Sequence, residues 1–283
     1  NIPKKNLKKI TSSLKNKKIF TYQFDPSEAN KSQKSINKIL NILLKNNFHR
    51  SDYLISIGGG ITGDVASFAA SIFKRGMNLI NIPTTLLAQV DSSIGGKTGI
   101  NSQYGKNLIG TFYQPKLVIS DIDFLKSLSK REVICGYAEI LKHSLIKNKK
   151  LFNYLDKNAY QILNLKTPFI EKAIYESCLI KKRIVEKDEK EKNLRKILNF
   201  GHTFGHAYEA SKKYSRKLNH GEAVLLGITN ASKFSYNNNY INKKDYEKIL
   251  SHFYKLKLPT KISSFFSRKD LNKILSFMKK DKK

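Results

Sequence analysis

As far as about residue 125, short β-type runs alternate with helix-periodic ones, and from about Leu128 onward the alternation stops. Ile19 to Phe24 reads as a strand, and Ser32 to Asn46, with apolar residues at Ile36, Ile39, Leu40, Leu43 and Leu44, reads as a helix. Tyr53 to Ile57 is again a strand, and Gly58-Gly59-Gly60 leads into a helix from about Thr62 to Phe73. A strand from Leu79 to Ile82, the turn Pro83-Thr84-Thr85 and a strand near Leu117 to Ser120 continue the α/β pattern. The second half is helical throughout: Arg131 to Ile146, Pro168 to Glu186, Gly205 to Ser211, Gly221 to Phe234, Lys244 to Phe253 and Asp270 to Met278. The chain is therefore expected to form a nucleotide-type α/β domain followed by an all-helical domain, without internal repeats.

Its 283 residues suit two domains, and 40% hydrophobic residues exclude a disordered chain despite 27% charge. Cys135 and Cys178 form no C-x-x-C pair, which argues against a disulfide scaffold and a thiolate zinc site and suits a reducing compartment. No run approaches the roughly 18 apolar residues of a membrane span. The net charge of +31 raises nucleic-acid binding. However, the lysines spread over nearly every expected solvent face, accompany abundant Asn and Ile, and fall into no RNP, zinc-finger or basic-zipper pattern. No specific nucleic-acid partner is expected, although an anionic substrate would benefit from the same field. Lys4 to Lys18 reads as a surface helix feeding a strand rather than a transit peptide. The start at Asn1 and the end at Asp281-Lys282-Lys283 suit part of a longer product.

Three motifs carry chemistry. A strand ending in Gly58-Gly59-Gly60, followed by Gly63-Asp64 and a helix, suits a pyrophosphate turn, because backbone amides at a helix start can approach the ligand closely. The spacing is not G-x-G-x-x-G, and a tight connection reads the same way. Asp91-Ser92-Ser93-Ile94-Gly95-Gly96-Lys97-Thr98 looks like a P-loop, but Asp91 stands where that motif needs Gly, so an ATPase is excluded. What remains is Lys97 and the nearby Gly105-Lys106-Asn107, suited to holding an anionic oxygen.

The third motif is a metal constellation. His202 and His206 stand at i and i+4 in Gly201-His202-Thr203-Phe204-Gly205-His206, His220 follows, and Glu139 shares a helix with Lys142 and His143. This cluster favours a His/Glu catalytic zinc, and spacing leaves open which histidines bind. The absence of His-Glu-x-x-His makes a peptidase a poor fit. Lys142, Lys181 and Arg195, with Asp188, Glu189 and Glu191 between the last two, otherwise read as exposed ion pairs.

Four blocks together resemble 3-dehydroquinate synthase, in order along the chain: Pro83 to Gly99, Gly136-Tyr137-Ala138-Glu139-Ile140-Leu141-Lys142, Leu198 to Ala207, and His220-Gly221-Glu222-Ala223-Val224. The resemblance runs from about Glu28 to Lys283 and implies an α/β fold of two domains. Residues 1–127 would form a Rossmann-like NAD-binding domain lacking its first strands, and residues 128–283 an all-helical metal- and substrate-binding domain. It further implies a cytoplasmic homodimeric lyase of the shikimate pathway that needs NAD and Zn2+, with Co2+ as an alternative ion. The substrate would be 3-deoxy-D-arabino-heptulosonate 7-phosphate, converted by transient oxidation, phosphate elimination, reduction and aldol closure. The nearest alternatives are another sugar-phosphate cyclase and a metal-dependent polyol dehydrogenase.

Carried over by position, Glu139, His202 and His220 look like the zinc ligands, leaving His206 for substrate phosphate or proton relay. Asp91, Lys97, Asn107, Lys142, Lys181, Arg195 and Asn199 look like substrate contacts, and Arg75 like an arginine lent to a neighbouring subunit. The nucleotide site would draw on Glu28, Lys31, Gly58, Gly59, Gly60, Asp64, Thr84, Thr85, Lys97, Lys106, Phe124, Ser127 and Leu128. Ser27 and Ser127 stand where the family commonly has Gly and Thr, departures that bear on NAD affinity.

Overall fold

The structure, a computed structural model, describes residues 2, 4–14, 17–215 and 217–280. Asn1, part of the Lys4 to Lys18 stretch and the closing Asp281-Lys282-Lys283 lie outside the described residues. The chain divides into two compact units, Asn1–Leu128 and Ser129–Lys283.

The first unit holds α1 (Lys4–Ser13), α2 (Gln33–Lys45) and α3 (Gly60–Ile72). Its strands are β1 (Tyr53–Gly58), β2 (Asn78–Pro83), β3 (Ile100–Ser102), β4 (Gly105–Ile109) and β5 (Leu117–Val118). β1, β2 and β5 form a parallel sheet in that order, in register Tyr53↔Asn78 through Gly58↔Pro83 and Ile80↔Leu117. The apolar stripe of α2 closes on α3, where Ile36, Val65, Phe68 and Ala69 pack with Ile100. This burial fixes α3 over the sheet, so the turn between β1 and α3 emerges at the carboxyl edge, where open α/β sheets bind ligands.

Two sequence expectations need correction. Ile19 to Phe24 has strand composition, but among the described residues no strand pairs with it, and Ile19, Phe20 and Tyr22 remain exposed. A β-type composition becomes a strand only through a hydrogen-bonded neighbour. The last expected strand stops at Val118, although Ile119 N still donates to Asn81 O at 2.9 Å. An antiparallel hairpin of β3 and β4 was not foreseen.

The second unit comprises α4 (Lys130–Lys147), α5 (Lys149–Leu163), α6 (Phe169–Lys187), α7 (His202–Ser211), α8 (His220–Asn237), α9 (Lys243–Lys255) and α10 (Leu271–Lys280). α4 starts at a capping box of Ser129 and Glu132, and every residue from Gly136 to Ser144 is buried, so it is the central helix. α5 was not anticipated, although Asn148 caps it and Leu151, Phe152, Leu155, Ala159 and Ile162 give it a buried stripe. α7 begins at His202 rather than Gly205, because Gly201 takes φ +78° and turns the chain into the helix there.

Glycines set how closely these helices approach. A Cβ on Gly221 would stand 2.3 Å from Cys135 Cα, and one on Gly227 would stand 2.0 Å from Gly201 O. α8 therefore lies against both α4 and the start of α7 at distances that no larger residue permits.

On the far face of α4, Tyr137 Oη donates to His252 Nε2 at 2.9 Å, and His252 Nδ1 donates to Asp156 Oδ1 at 2.8 Å. Burial lowers the His252 pKa below its ordinary value, against the pull of Asp156. The unfolded chain thus takes up a proton at higher pH than the folded one. Stability from neutral His252 is complete above the unfolded value of about 6.5 and is lost as pH falls through the lowered one. Wild-type denaturation midpoints are expected to drop more between pH 7.5 and 5.5 than those of His252→Gln. Parallel pH profiles of the two proteins would refute this assignment.

Candidate functional site

In the first unit, α3 begins at Gly60 with Gly59 as its N-cap, a residue that offers no side chain to the first amides. A Cβ on Gly59 would approach Thr85 Cγ2 to 3.2 Å, and one on Gly60 would approach Ser92 Oγ to 3.0 Å. These glycines keep the helix start open to a ligand, as an anion at a helix N-terminus requires. Thr84 N donates to Gly58 O at 2.9 Å, so Thr84 and Thr85 lie at the same edge of the sheet. Thr85 Oγ1 accepts from Ala88 N at 3.2 Å, opening the turn that carries Asp91. A narrow cleft here is bordered by Gly58, Gly59, Asp64, Ser92, Lys97 and Tyr113.

Buried Lys31 joins Asp64 to Asn107, donating to both side chains. Burial raises the Asp64 pKa, opposed by the Lys31 ammonium. Nearby, Glu28 accepts from Lys106 Nζ at 2.8 Å and from Asn101 Nδ2 at 2.9 Å. Burial would raise the Glu28 pKa, but these two bonds outweigh it and lower it. The unforeseen hairpin thus brings Lys106 and Asn107 to Glu28 and Lys31. Asn107, read from the sequence as a substrate contact, stands beside residues read as nucleotide-binding.

Phe124 is buried in the turn Ile122–Ser127, where Ser127 Oγ donates to Phe124 O at 3.0 Å. Arg75 stands with Lys74 in left-handed backbone at φ 65° and 45°, beside Arg50 and Lys116 along a second cleft. Two consecutive non-glycine residues in that region mark local strain.

In the second unit, Glu139 on α4, His202 at the start of α7 and His220 at the start of α8 converge, their ligand atoms within 4.8 Å of one another. Glu139 is fully buried, and its Oε1 lies 3.5 Å from both His202 Nε2 and His220 Nε2. Its Oε2 meets Lys142 Nζ, one turn along α4. Burial alone would raise the Glu139 pKa, but Lys142 and the two histidines hold it well below the usual carboxylate range.

His202 Nδ1 donates to Phe200 O at 3.3 Å. Burial first and the Lys142 charge second push the His202 pKa well down, so this ring is neutral. A neutral ring that donates from Nδ1 turns its Nε2 lone pair toward an anionic oxygen, an arrangement that repels unless a cation lies between. With Oε2 taken by Lys142, Oε1 is the Glu139 oxygen left facing the two imidazoles. The donor set of two imidazoles and one carboxylate is that of a three-ligand zinc site. The residues present therefore fit a divalent metal ion.

His206 stands one turn beyond His202, ring centroids 5.1 Å apart and edge-on, outside the converging group. Lys181 on α6 and Arg195 in the turn Leu194–Asn199 are buried rather than part of an exposed ion-pair face. Asp188 accepts from Arg195 N at 3.0 Å, and Asn199 Nδ2 donates to Glu191 at 2.9 Å. Glu209, which the sequence reading passed over, accepts from His220 Nδ1 at 3.0 Å. Its place seven residues after His202, on the same helical face, is the signal that could have found it.

Solved structures define the class. 2-Deoxy-scyllo-inosose synthase, complexed with carbaglucose-6-phosphate, NAD+ and Co2+, matches with a TM-score of 0.86 and 28% identity over 99% of this chain and 76% of its own. 2-Epi-5-epi-valiolone synthase from Streptomyces hygroscopicus subsp. jinggangensis, with NAD+ and Zn2+ bound, matches at 0.82 and 25% identity, over 91% of this chain and 71% of its own. The two-unit architecture is that of the sugar-phosphate cyclases. The 3-dehydroquinate synthase N-terminal model matches residues 21–135, and the C-terminal model matches residues 136–283. The 3-dehydroquinate synthase of Pelagibacter ubique is 62% identical over 283 residues, 100% of this chain and 77% of that protein. The chain belongs to the 3-dehydroquinate synthase family.

Proposed function

We propose that the chain carries out its family's reaction, converting 3-deoxy-D-arabino-heptulosonate 7-phosphate to 3-dehydroquinate and inorganic phosphate. The observation that carries this reading is the convergence of Glu139, His202 and His220 in a chain of this family.

Glu28, Lys31, Gly58 to Gly60, Asp64, Thr84, Thr85, Lys106 and the stretch Phe124 to Leu128 would hold NAD, which would supply a reversible hydride acceptor. Glu139, His202 and His220 would hold Zn2+ or Co2+, which as a Lewis acid acidifies substrate hydroxyls. The remaining work falls to side chains. Lys97, Asn107, Lys142 and His206 bind the departing phosphate, His206 also serves as a proton relay, and Arg75 serves the phosphate site of a second copy in a homodimer. Lys181 and Arg195 grip the substrate carboxylate, Arg195 through its planar fork. Asp91 and Asn199 orient the sugar hydroxyls. The substrate's phosphate and carboxylate account for these cations, of which Lys142, Lys181 and Arg195 are buried, whereas the +31 of the whole chain lies mostly elsewhere. Neither cysteine forms a disulfide, which supports a reducing, cytoplasmic setting.

The test is phosphate release from the heptulosonate phosphate by the full polypeptide, with and without NAD and after chelation. Release that needs both cofactors and accumulates no NADH is expected. Zinc-loaded, NAD-binding protein that releases none would point to a sister cyclase, and steady NADH from a polyol would point to a dehydrogenase. Arg195→Lys is expected to raise the substrate KM about tenfold or more, since a bidentate charged contact becomes a point charge. NAD affinity should stay unchanged, and an unaltered KM would remove Arg195 from the carboxylate site.

A further inference from the structure

The stripe of α7 that carries His202 and His206 continues to Glu209, at spacings of four and three. The Glu209 side chain is 12% exposed, and its Oε2 accepts a hydrogen bond from His220 Nδ1 at 3.0 Å. A neutral imidazole that donates from Nδ1 to a carboxylate has its Nε2 lone pair free for a metal, and Nε2 is the His220 atom facing Glu139, 3.5 Å from its Oε1. His202 has only a neutral partner behind it, the carbonyl of Phe200 at 3.3 Å.

The backbone at His220 is held independently of Glu209. Asn219 and Glu222 form a capping box at the start of α8, Arg131 grips Glu222 through two bonds of 2.7 Å, and Gly221 seats against Cys135. What these contacts leave undetermined is the rotation of the ring and which nitrogen carries its proton. Glu209 is the side chain bonded to the Nδ1 of that ring.

We propose that Glu209 is a positioning residue of the metal centre: it holds the His220 ring with Nε2 directed at the metal and, through its negative charge, makes that nitrogen a stronger ligand. The inference rests on the metal reading above. Outer-shell carboxylates behind ligating histidines typically contribute 10- to 100-fold in metal affinity.

Zinc affinity, measured by competition with a chromophoric chelator on the folded full polypeptide, tests the inference, with the visible spectrum of the Co2+-loaded protein as a second readout. Glu209→Gln keeps an acceptor but loses the charge, and about tenfold weaker binding is expected; Glu209→Met loses both, and the loss should approach about 100-fold. The melting of both metal-free variants should show them folded. In a His220→Ala background the same substitutions should cause no further loss, because the effect passes through that ring.

Wild-type protein that binds zinc tightly, with Glu209→Gln and Glu209→Met binding equally well, overturns this proposal alone. A loss that persists undiminished in the His220→Ala background also overturns it, since Glu209 would then act through the fold. Wild-type protein that takes up no divalent ion overturns the metal reading and this proposal together. The Gln variant is isosteric and keeps the test decisive if the Met variant does not fold.

Discussion

His202→Ala is expected to lose bound metal and activity together. Removing it takes one of three converging donors and leaves the buried Glu139 oxygen facing a space that the ring had closed. Losing an outer-shell partner alone costs 10- to 100-fold, so a lost ligand should weaken metal binding by more than about 100-fold. His206→Ala, one turn along the same helix, should keep the metal and lose rate, because the geometry leaves that ring outside the donor group. Metal content measured on both purified proteins decides the matter. Depletion in His206→Ala with retention in His202→Ala would reverse the ligand assignment.

Gly227→Ala should do nearly as much damage without touching a ligand. The added methyl would stand 2.0 Å from Gly201 O and 3.1 Å from Gly205 N, all backbone, so α7 and α8 must part. Overpacking of this kind typically costs about 1–3 kcal/mol, and a clash with backbone belongs at the upper end. The movement falls on Gly201, immediately before His202, so metal affinity should drop with the denaturation midpoint. Gly63→Ala in α3 is the contrast, since nothing lies within 4 Å of its added methyl. There a helix-interior Ala should raise stability by about 0.5–1 kcal/mol. Equal midpoints for Gly227→Ala and wild type would show that the helices can separate freely.

The two predictions also mark where the sequence is legible. The strand-to-helix alternation and most helices of the second unit follow from local periodicity, which needs only neighbours within a turn or two. The spacing of His202 and His206 is equally local, and it left open which histidines bind. The third donor instead comes from α8, brought in by glycines at Gly201, Gly221 and Gly227 whose meaning appears only once the helices are packed. The same holds for the hairpin that carries Lys106 and Asn107 to Glu28 and Lys31, partners more than seventy residues apart in the chain. Ile19 to Phe24 failed in the opposite way: its composition is local, but being a strand is a relation between two segments. Glu209 was within reach of a simple helical count from His202 and His206.

The pairing of Glu139 with Lys142 has one further effect. Of the two carboxylate oxygens, one meets an ammonium that belongs to the polypeptide, and the other faces the two imidazoles. The buried carboxylate at the centre of α4 is therefore partly charge-balanced from within. A metal ion bound here would meet a carboxylate that already has a counter-charge from the polypeptide, in contrast to small metal-stapled domains, whose folding free energy comes from the ion itself.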